Sequence, residues 1–99
     1  MLKKIDCFEF DKLVSESEGE VFVDFSAEWC SPCQKMEPIL REISESNTVY
    51  QVDIDEEKDL AMENEVVSIP CIVLFRDGKE ANRIIGLCKK QDILDLKNE

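Results

Sequence analysis

Apolar residues follow two different periods along the chain. Short continuous apolar runs at residues 21–25 and 71–75 are typical of strands that are covered on both faces of a sheet. Between such runs, apolar positions recur at intervals of three and four residues, as from Cys33 to Ile43, which is typical of amphipathic helices. This alternation predicts an α/β fold with a mixed central β-sheet flanked by helices on both faces.

The predicted order of elements is βαβαβαββα. Strands are expected at residues 2–5, 21–25, 49–54, 71–75 and 83–85, and helices at residues 8–17, 30–46, a short acidic stretch around Leu60 and Met62, and 89–97. Pro38 lies inside the second helix and removes a backbone donor, so we expect a kink there and not an end. Asp77 and Gly78 form a turn signal between the last two strands.

The composition fits one domain over residues 1–99. The chain has 43% hydrophobic residues, and a chain of this size can bury roughly two thirds of its unfolded surface without metal or disulfide cross-links. Twelve basic residues against 23 acidic ones leave a formal charge of -11. Such a field repels phosphate backbones and anionic lipids, which argues against nucleic-acid or membrane binding as the main activity.

The N-terminal residues do not fit a secretion signal. Acidic residues stand at Asp6, Glu9 and Asp11, where a signal peptide needs an apolar stretch. No apolar run is long enough to span a bilayer. We therefore expect a cytoplasmic protein whose thiols are kept reduced.

Five cysteines, at Cys7, Cys30, Cys33, Cys71 and Cys88, carry the candidate chemistry. An odd number of cysteines without a secretion signal argues against a structural disulfide framework. Only Cys30 and Cys33 are close in sequence. Three positions apart at the start of a helix, they share a face and can close a small disulfide ring. The pair therefore predicts reversible thiol–disulfide chemistry.

The helix start gives the two thiols different roles. Free backbone donors and the helix dipole should lower the pKa of Cys30 from about 8.5, so that Cys30 attacks a target disulfide and Cys33 resolves the mixed disulfide. Pro32 fits the first helical turn and restricts the loop, in which Ser31 is a suitable turn residue. Trp29 can shield the site or contact a partner, although an ordinary core tryptophan is the alternative.

Asp24 interrupts the apolar run of the second strand. Burial should raise its pKa and let it exchange a proton with Cys33, directly or through a water. A solvent-facing or structurally hydrogen-bonded aspartate is the alternative, and the sequence leaves both open. Ile69 and Pro70 open a later strand, where an ordinary trans proline is the simpler interpretation. A functional interpretation requires a cis bond that places Ile69 beside the thiols.

With these residues assembled, the chain resembles the thioredoxin family from about Val21 to the final helix. The most specific stretch is residues 23–33, VDFSAEWCSPC. Further matches follow in order at Met36, Pro38, Ile39, Leu40, residues 52–55, Ile69, Pro70, Asp77, Gly78 and Gly86. A lone Cys-x-x-Cys motif would be ambiguous, but a chance match to all of these positions is improbable.

The resemblance implies a thioredoxin fold and a protein-disulfide reductase. It implies that Cys30 is the attacking thiol, Cys33 the resolving thiol and Asp24 the buried acid. It also implies a cis Ile69–Pro70 bond and a substrate groove, formed by Trp29, Ile69, Pro70 and Gly86. The expected partners are disulfide-containing protein substrates and a thioredoxin reductase that recycles the chain, which is expected to be a monomer without a bound organic cofactor.

Several positions depart from the family pattern. Ser31 replaces the usual glycine, Ser26 replaces an aromatic residue common in the family, and Gln34 and Gln51 replace lysines. Less positive charge near the thiols should favour the thiolate less and select partners with a basic face. Cys71 replaces a common threonine. It is interpreted either as an inert buried thiol or as a regulatory one, as are Cys7 and Cys88.

Two other functions compete with catalysis. A zinc site would join Cys30 and Cys33 to two of the remaining cysteines, but the chain lacks a second close pair and has no histidine. A thioredoxin-fold binding module would recruit a partner through the acidic run at residues 53–65 while the thiols are incidental. Such a run is more often a solvated face.

Overall fold

The computed structural model describes residues 1–98, so Glu99, the last residue of the predicted domain, lies outside the described residues. Its strands are β1 (Lys3–Lys4), β2 (Glu20–Ser26), β3 (Val49–Asp53), β4 (Cys71–Arg76) and β5 (Lys79–Ile85). They form one sheet in the order β1-β3-β2-β4-β5. The first three strands in this order, β1, β3 and β2, run parallel to one another. Strand β4 runs antiparallel to both β2 and β5.

The helices follow the predicted order. They are α1 (Cys7–Phe10), continued by a π-helical turn (Asp11–Ser15), α2 (Ser31–Ile43), α3 (Lys58–Glu63) and α4 (Lys90–Leu94), continued by a 3-10 turn (Asp95–Lys97). The start of α1 is fixed by a capping box, in which Asp6 and Glu9 each accept the backbone N–H of the other. Helix α2 runs through Pro38 without ending, as predicted.

The predicted start of the last strand is wrong. Strand β5 begins at Lys79 and not at residue 83, because the Asp77–Gly78 turn joins it directly to β4. Both turn residues have positive φ, 53° and 83°, as the tightest hairpin turns require. A Cβ atom at Gly78 would also collide with the backbone carbonyl of Ser15, so this position needs glycine for two reasons.

Alternate residues of β2 pack into two separate cores. One core, beneath α1 and α3, contains Ile5, Phe10, Val14, Val21, Val23, Phe25, Val52, Leu60, Cys71, Val73 and Phe75. The other core, beneath α2 and α4, contains Phe22, Met36, Leu40, Ile43, Val49, Ile72, Leu74, Ile93 and Leu96. Helices therefore cover both faces of the sheet, which confirms the predicted fold class.

This architecture brings two chain segments to one end of the sheet. Strand β2 ends at Ser26, and four residues later Cys30 caps α2. Phe25 pairs with Cys71 at the start of β4, so the preceding Ile69 and Pro70 lie at the same end. Within residues 1–98, no helix has both the length and the apolarity to cross a bilayer.

Candidate active site

Cys30 and Cys33 are joined as a disulfide at the start of α2, with their Cα atoms 5.2 Å apart. Cys30 is the N-cap residue of the helix and has an extended backbone, and its Sγ accepts the backbone N–H of Cys33 at 3.3 Å. Pro32 occupies the first turn, where its missing N–H costs no hydrogen bond. The structure thus brings the predicted pair together at a helix N-terminus.

The two cysteines of the disulfide are buried, whereas the loop residues between and beside them are exposed. Cys30 and Cys33 are only 5% and 4% exposed, whereas Ser31 and Pro32 are exposed. Trp29 is 68% exposed, and its indole N–H donates to Asp55 Oδ2 at 2.7 Å. The alternative of a core tryptophan is therefore wrong, and the Trp29 ring is available to a partner.

Asp24 is fully buried on the α2 side of the sheet, which excludes the solvent-facing alternative. Burial raises the pKa of this carboxyl to about 6, and the nearby negative charge of Glu37 acts in the same direction. The polar side chains of Gln51 and Ser26 oppose the increase. Oδ2 accepts from Gln51 Nε2 at 3.1 Å, and Oδ1 accepts no hydrogen bond within the described part of the chain.

A cavity of about 320 Å³ lies beside the disulfide. Its lining includes Cys33 together with Gln51, Ser26 and Glu37, three residues that surround Asp24. Lys4 is the cation in the lining, and its ammonium group pairs with Glu56 at 2.8 Å. The cavity is polar and large enough for water, so it offers a path for a proton between Cys33 and the surroundings of Asp24.

The hydrogen bond from Gln51 was not predicted from the sequence, and it yields a test. Gln51→Leu removes the donor to Asp24 Oδ2, which stabilises the ionised carboxylate. We expect the pKa of Asp24 to rise above about 6 in this variant, as followed by NMR titration of the carboxyl carbon. Gln34→Leu is the matched control, because Gln34 lines the same cavity but donates to the Glu28 carbonyl. An equal shift in both variants would contradict a specific role for Gln51.

The peptide bond between Ile69 and Pro70 is cis. Ile69 packs against the small cluster of Ala27, Cys30 and Cys33. The Gly86 N–H donates to the Pro70 carbonyl at 2.8 Å. Three of the four predicted groove residues therefore lie together next to the disulfide, and the fourth, Trp29, directly precedes Cys30.

The remaining cysteines are free thiols, and none of them belongs to the small buried cluster around the pair in the described part of the chain. Cys71 is fully buried in the core beneath α1 and α3, and burial raises the pKa of its thiol. Cys7 is exposed at the start of α1, and Cys88 is half-buried. In residues 1–98, no three His, Cys, Asp or Glu side chains are grouped to hold a metal ion. These positions favour the inert interpretation of Cys71.

Comparison with known proteins shows one family throughout. The family model for thioredoxin matches residues 2–99. The thioredoxin of Chlamydia pneumoniae is 39% identical over 102 residues, covering 100% of this chain and 98% of its own. The thioredoxin of Rickettsia felis is 39% identical over 103 residues, with the same coverage of both chains.

A solved structure agrees with these sequence matches. A mutant thioredoxin from Halobacterium salinarum NRC-1 superimposes with a TM-score of 0.89 at 33% identity. The match covers 96% of this chain and 86% of the other. Sequence and structure comparisons therefore point to the same family.

Proposed function

The chain belongs to the thioredoxin family and is a thiol–disulfide oxidoreductase, and on that premise we propose that Cys30 and Cys33 are its redox centre. In this proposal the reduced pair converts a protein disulfide into two thiols and becomes the Cys30–Cys33 disulfide. The observation that carries it is the placement of Cys30 at the N-cap of α2, bonded to Cys33 beside an exposed loop.

Cys30 is the attacking residue. Its Sγ accepts the Cys33 N–H and lies at the N-terminus of a 13-residue helix, where a thiolate is stabilised by the backbone donors and the helix dipole. The Cys30 thiolate attacks one sulfur of the target disulfide, forms a mixed disulfide and releases the first target thiolate. The Cys33 thiolate then attacks Cys30 Sγ and releases the second. Two electrons pass to the target, and a reductase returns them.

Asp24 accepts the proton that Cys33 must lose before it can attack. A carboxyl with a pKa of about 6 is ionised at neutral pH yet close enough to neutrality to take a proton. The cavity lined by Cys33 and Gln51 supports a route through water. The free Oδ1 atom supports the same role, because no hydrogen bond within residues 1–98 competes for it.

Trp29, Ile69, Pro70 and Gly86 form the groove that receives the target chain. Ile69 packs against the disulfide cluster, and the exposed Trp29 ring stands on the N-terminal side of Cys30. Exposed apolar side chains next to these positions, Val67, Ile85 and Leu87, extend the surface. An extended segment around a target disulfide fits such a surface.

We also propose that the chain acts as a single domain over residues 1–99 and as a monomer. Both cores share β2 and β4, which supports one folding unit. The β1 edge has only two residues, both lysines, and short charged edges disfavour pairing between copies.

The three free cysteines suit the reducing cytoplasm. Disulfide-containing proteins and a thioredoxin reductase are the proposed partners, with no organic cofactor.

Trapping with Cys33→Ser tests the mechanism. Without the resolving thiol, reaction with insulin should stall as a mixed disulfide through Cys30, which intact-mass analysis detects as a covalent adduct that dithiothreitol releases. Cys88→Ser keeps the pair intact and is the matched control, in which no adduct should accumulate. An adduct that persists when Cys30 is also replaced by serine would show that another cysteine attacks.

A further inference from the structure

The segment that carries Ile69 has few internal restraints. We call residues 64–70, which connect α3 to β4, the Ile69 loop. Its first three residues donate backbone N–H groups to α3 carbonyls. In the described part of the chain, no backbone hydrogen bond involves Val67, Ser68 or Ile69, and Val67 is 89% exposed. The position of Ile69 beside the disulfide therefore depends on what holds the two ends of the loop.

One side chain of β5 holds the first end. Arg83 Nη2 donates to the Asn64 carbonyl at 2.8 Å, and Nη1 donates to the Glu65 carbonyl at 3.4 Å. These carbonyls follow the end of α3, where backbone acceptors lack helical partners. Glu65 has a φ of 56°, a left-handed conformation that is uncommon outside glycine and asparagine. A glutamate does not favour this left-handed conformation by itself. The hydrogen bonds from Arg83 therefore help to hold the backbone in it.

The guanidinium group of Arg83 is itself fixed in place. Nε and Nη2 donate to the two carboxylate oxygens of Glu80 at 2.7 and 2.6 Å, a bidentate arrangement that a lysine cannot reproduce. These hydrogen bonds hold the pKa of Glu80 below its usual value, so the ion pair persists at neutral pH. Nη1 also lies 3.7 Å from Cys71 Sγ. The Arg83 side chain is only 23% exposed.

The residue that directly follows β5 holds the other end of the loop. The Gly86 N–H, just beyond β5, donates to the Pro70 carbonyl at 2.8 Å. Arg83 and Gly86, which are three residues apart in and just after β5, thus bind the two ends of the Ile69 loop. Between these two attachments, Ile69 packs against Cys30 and Cys33.

We infer that Arg83 is a positioning residue for substrate binding: it fastens the Ile69 loop to β5 and thereby holds the Ile69 side of the groove in the form that binds an extended target. The inference rests on the proposed function, because it assigns a role within the groove proposed above. Arg83 takes no part in the sulfur chemistry, so its loss acts on substrate affinity and leaves the transfer step itself in place.

The test compares Arg83→Gln with Arg76→Gln. Arg76 is a matched control, because it also donates to a glutamate, Glu20, and to a backbone carbonyl, that of Lys97. It lies at the opposite end of β4 from Pro70. In insulin reduction we expect Arg83→Gln to raise KM about tenfold with kcat changed less than about twofold, the signature of lost binding. Arg76→Gln should change neither value by more than about twofold.

A second readout does not depend on activity. Amide hydrogen exchange at residues 64–66, whose N–H groups donate to α3 carbonyls, should accelerate by about tenfold in Arg83→Gln and stay unchanged in Arg76→Gln, because local opening follows the loss of a restraint. If Arg83→Gln does not fold, Arg83→Lys is used instead, because it keeps the positive charge without the bidentate geometry. Smaller increases in KM and in amide exchange are then expected.

The outcomes separate the two claims. A wild-type chain that does not reduce insulin contradicts the proposed function. If the wild type is active and the folded Arg83 variant has an unchanged KM, the inference is overturned and the proposed function stands. An equal fall in kcat and kcat/KM in that variant has the same meaning. Unchanged exchange at residues 64–66 overturns it as well, whatever the kinetics.

Discussion

Replacing Cys30 by serine is expected to abolish disulfide reduction. A hydroxyl at the N-cap of α2 keeps the capping hydrogen bond but is a far weaker nucleophile than a thiolate at neutral pH. We expect the rate of insulin reduction to fall by roughly three orders of magnitude or more, the scale seen when a covalent enzyme loses its nucleophile. Turbidity from precipitating insulin chains measures the loss.

The control for this prediction is Cys7→Ser. Cys7 is exposed at the start of α1 and takes no part in the disulfide, and its replacement should leave the rate within about twofold, as surface substitutions usually do. Retention of substantial insulin reduction by Cys30→Ser would contradict the role of Cys30 as the attacking thiol.

Replacing Asp24 by asparagine is expected to stabilise the oxidised protein at high pH. The pKa of Asp24 is raised by burial from 3.8 to about 6, so the folded state holds a proton that the unfolded chain releases between these values. The stability contributed by the neutral carboxyl is full below about pH 4 and is lost as the pH rises through about 6. The shift corresponds to about 3 kcal/mol.

Denaturant unfolding at two pH values measures this effect. Relative to wild type, Asp24→Asn should gain up to about 3 kcal/mol in the free energy of unfolding at pH 8 and little at pH 4. Asp59→Asn, at an exposed position of α3, is the control and should show no comparable dependence on pH. An equal gain at both pH values would mean that Asp24 does not titrate in this range.

The same substitution tests the proton role of Asp24. If Asp24 accepts the proton of Cys33, Asp24→Asn should slow the resolving step by about tenfold at neutral pH. The variant should also lose any inflection near pH 6 in the rate profile. Stopped-flow tryptophan fluorescence can follow the step, because Trp29 directly precedes Cys30. An unchanged profile in a folded, stabilised variant would leave Asp24 with a structural role only.

Local patterns were sufficient where one strong signal decided the structure. The continuous apolar run predicted the buried strand β2, and the helical spacing from Cys33 to Ile43 predicted the buried face of α2. The same run left two alternatives for Asp24, buried or facing solvent, and the structure shows that it is buried. Strand β2 and the buried face of α2 each depend on residues that are close together in the chain, so the sequence pattern was enough to predict them.

Features that depend on distant residues could not be predicted in this way. Residues 79–82 lack a strand pattern and become part of β5 because the tight turn pairs them with β4. The contact between Gln51 and Asp24 requires the register of β2 against β3, which an apolar run does not fix to one residue. The sequence likewise left the exposure of Trp29 open, since an aromatic residue beside a strand end suits a core or a surface.

Reversible interconversion of the Cys30 and Cys33 thiols with their disulfide is the central claim of this account. A redox titration in dithiothreitol or glutathione buffers, with free thiols alkylated and counted by intact mass, tests it most directly. We predict one two-electron transition, with a slope of about 30 mV per tenfold change in ratio and a midpoint between about −300 and −120 mV. Cys30→Ser should eliminate the transition. A pair that stays wholly oxidised or wholly reduced across this range would contradict the account.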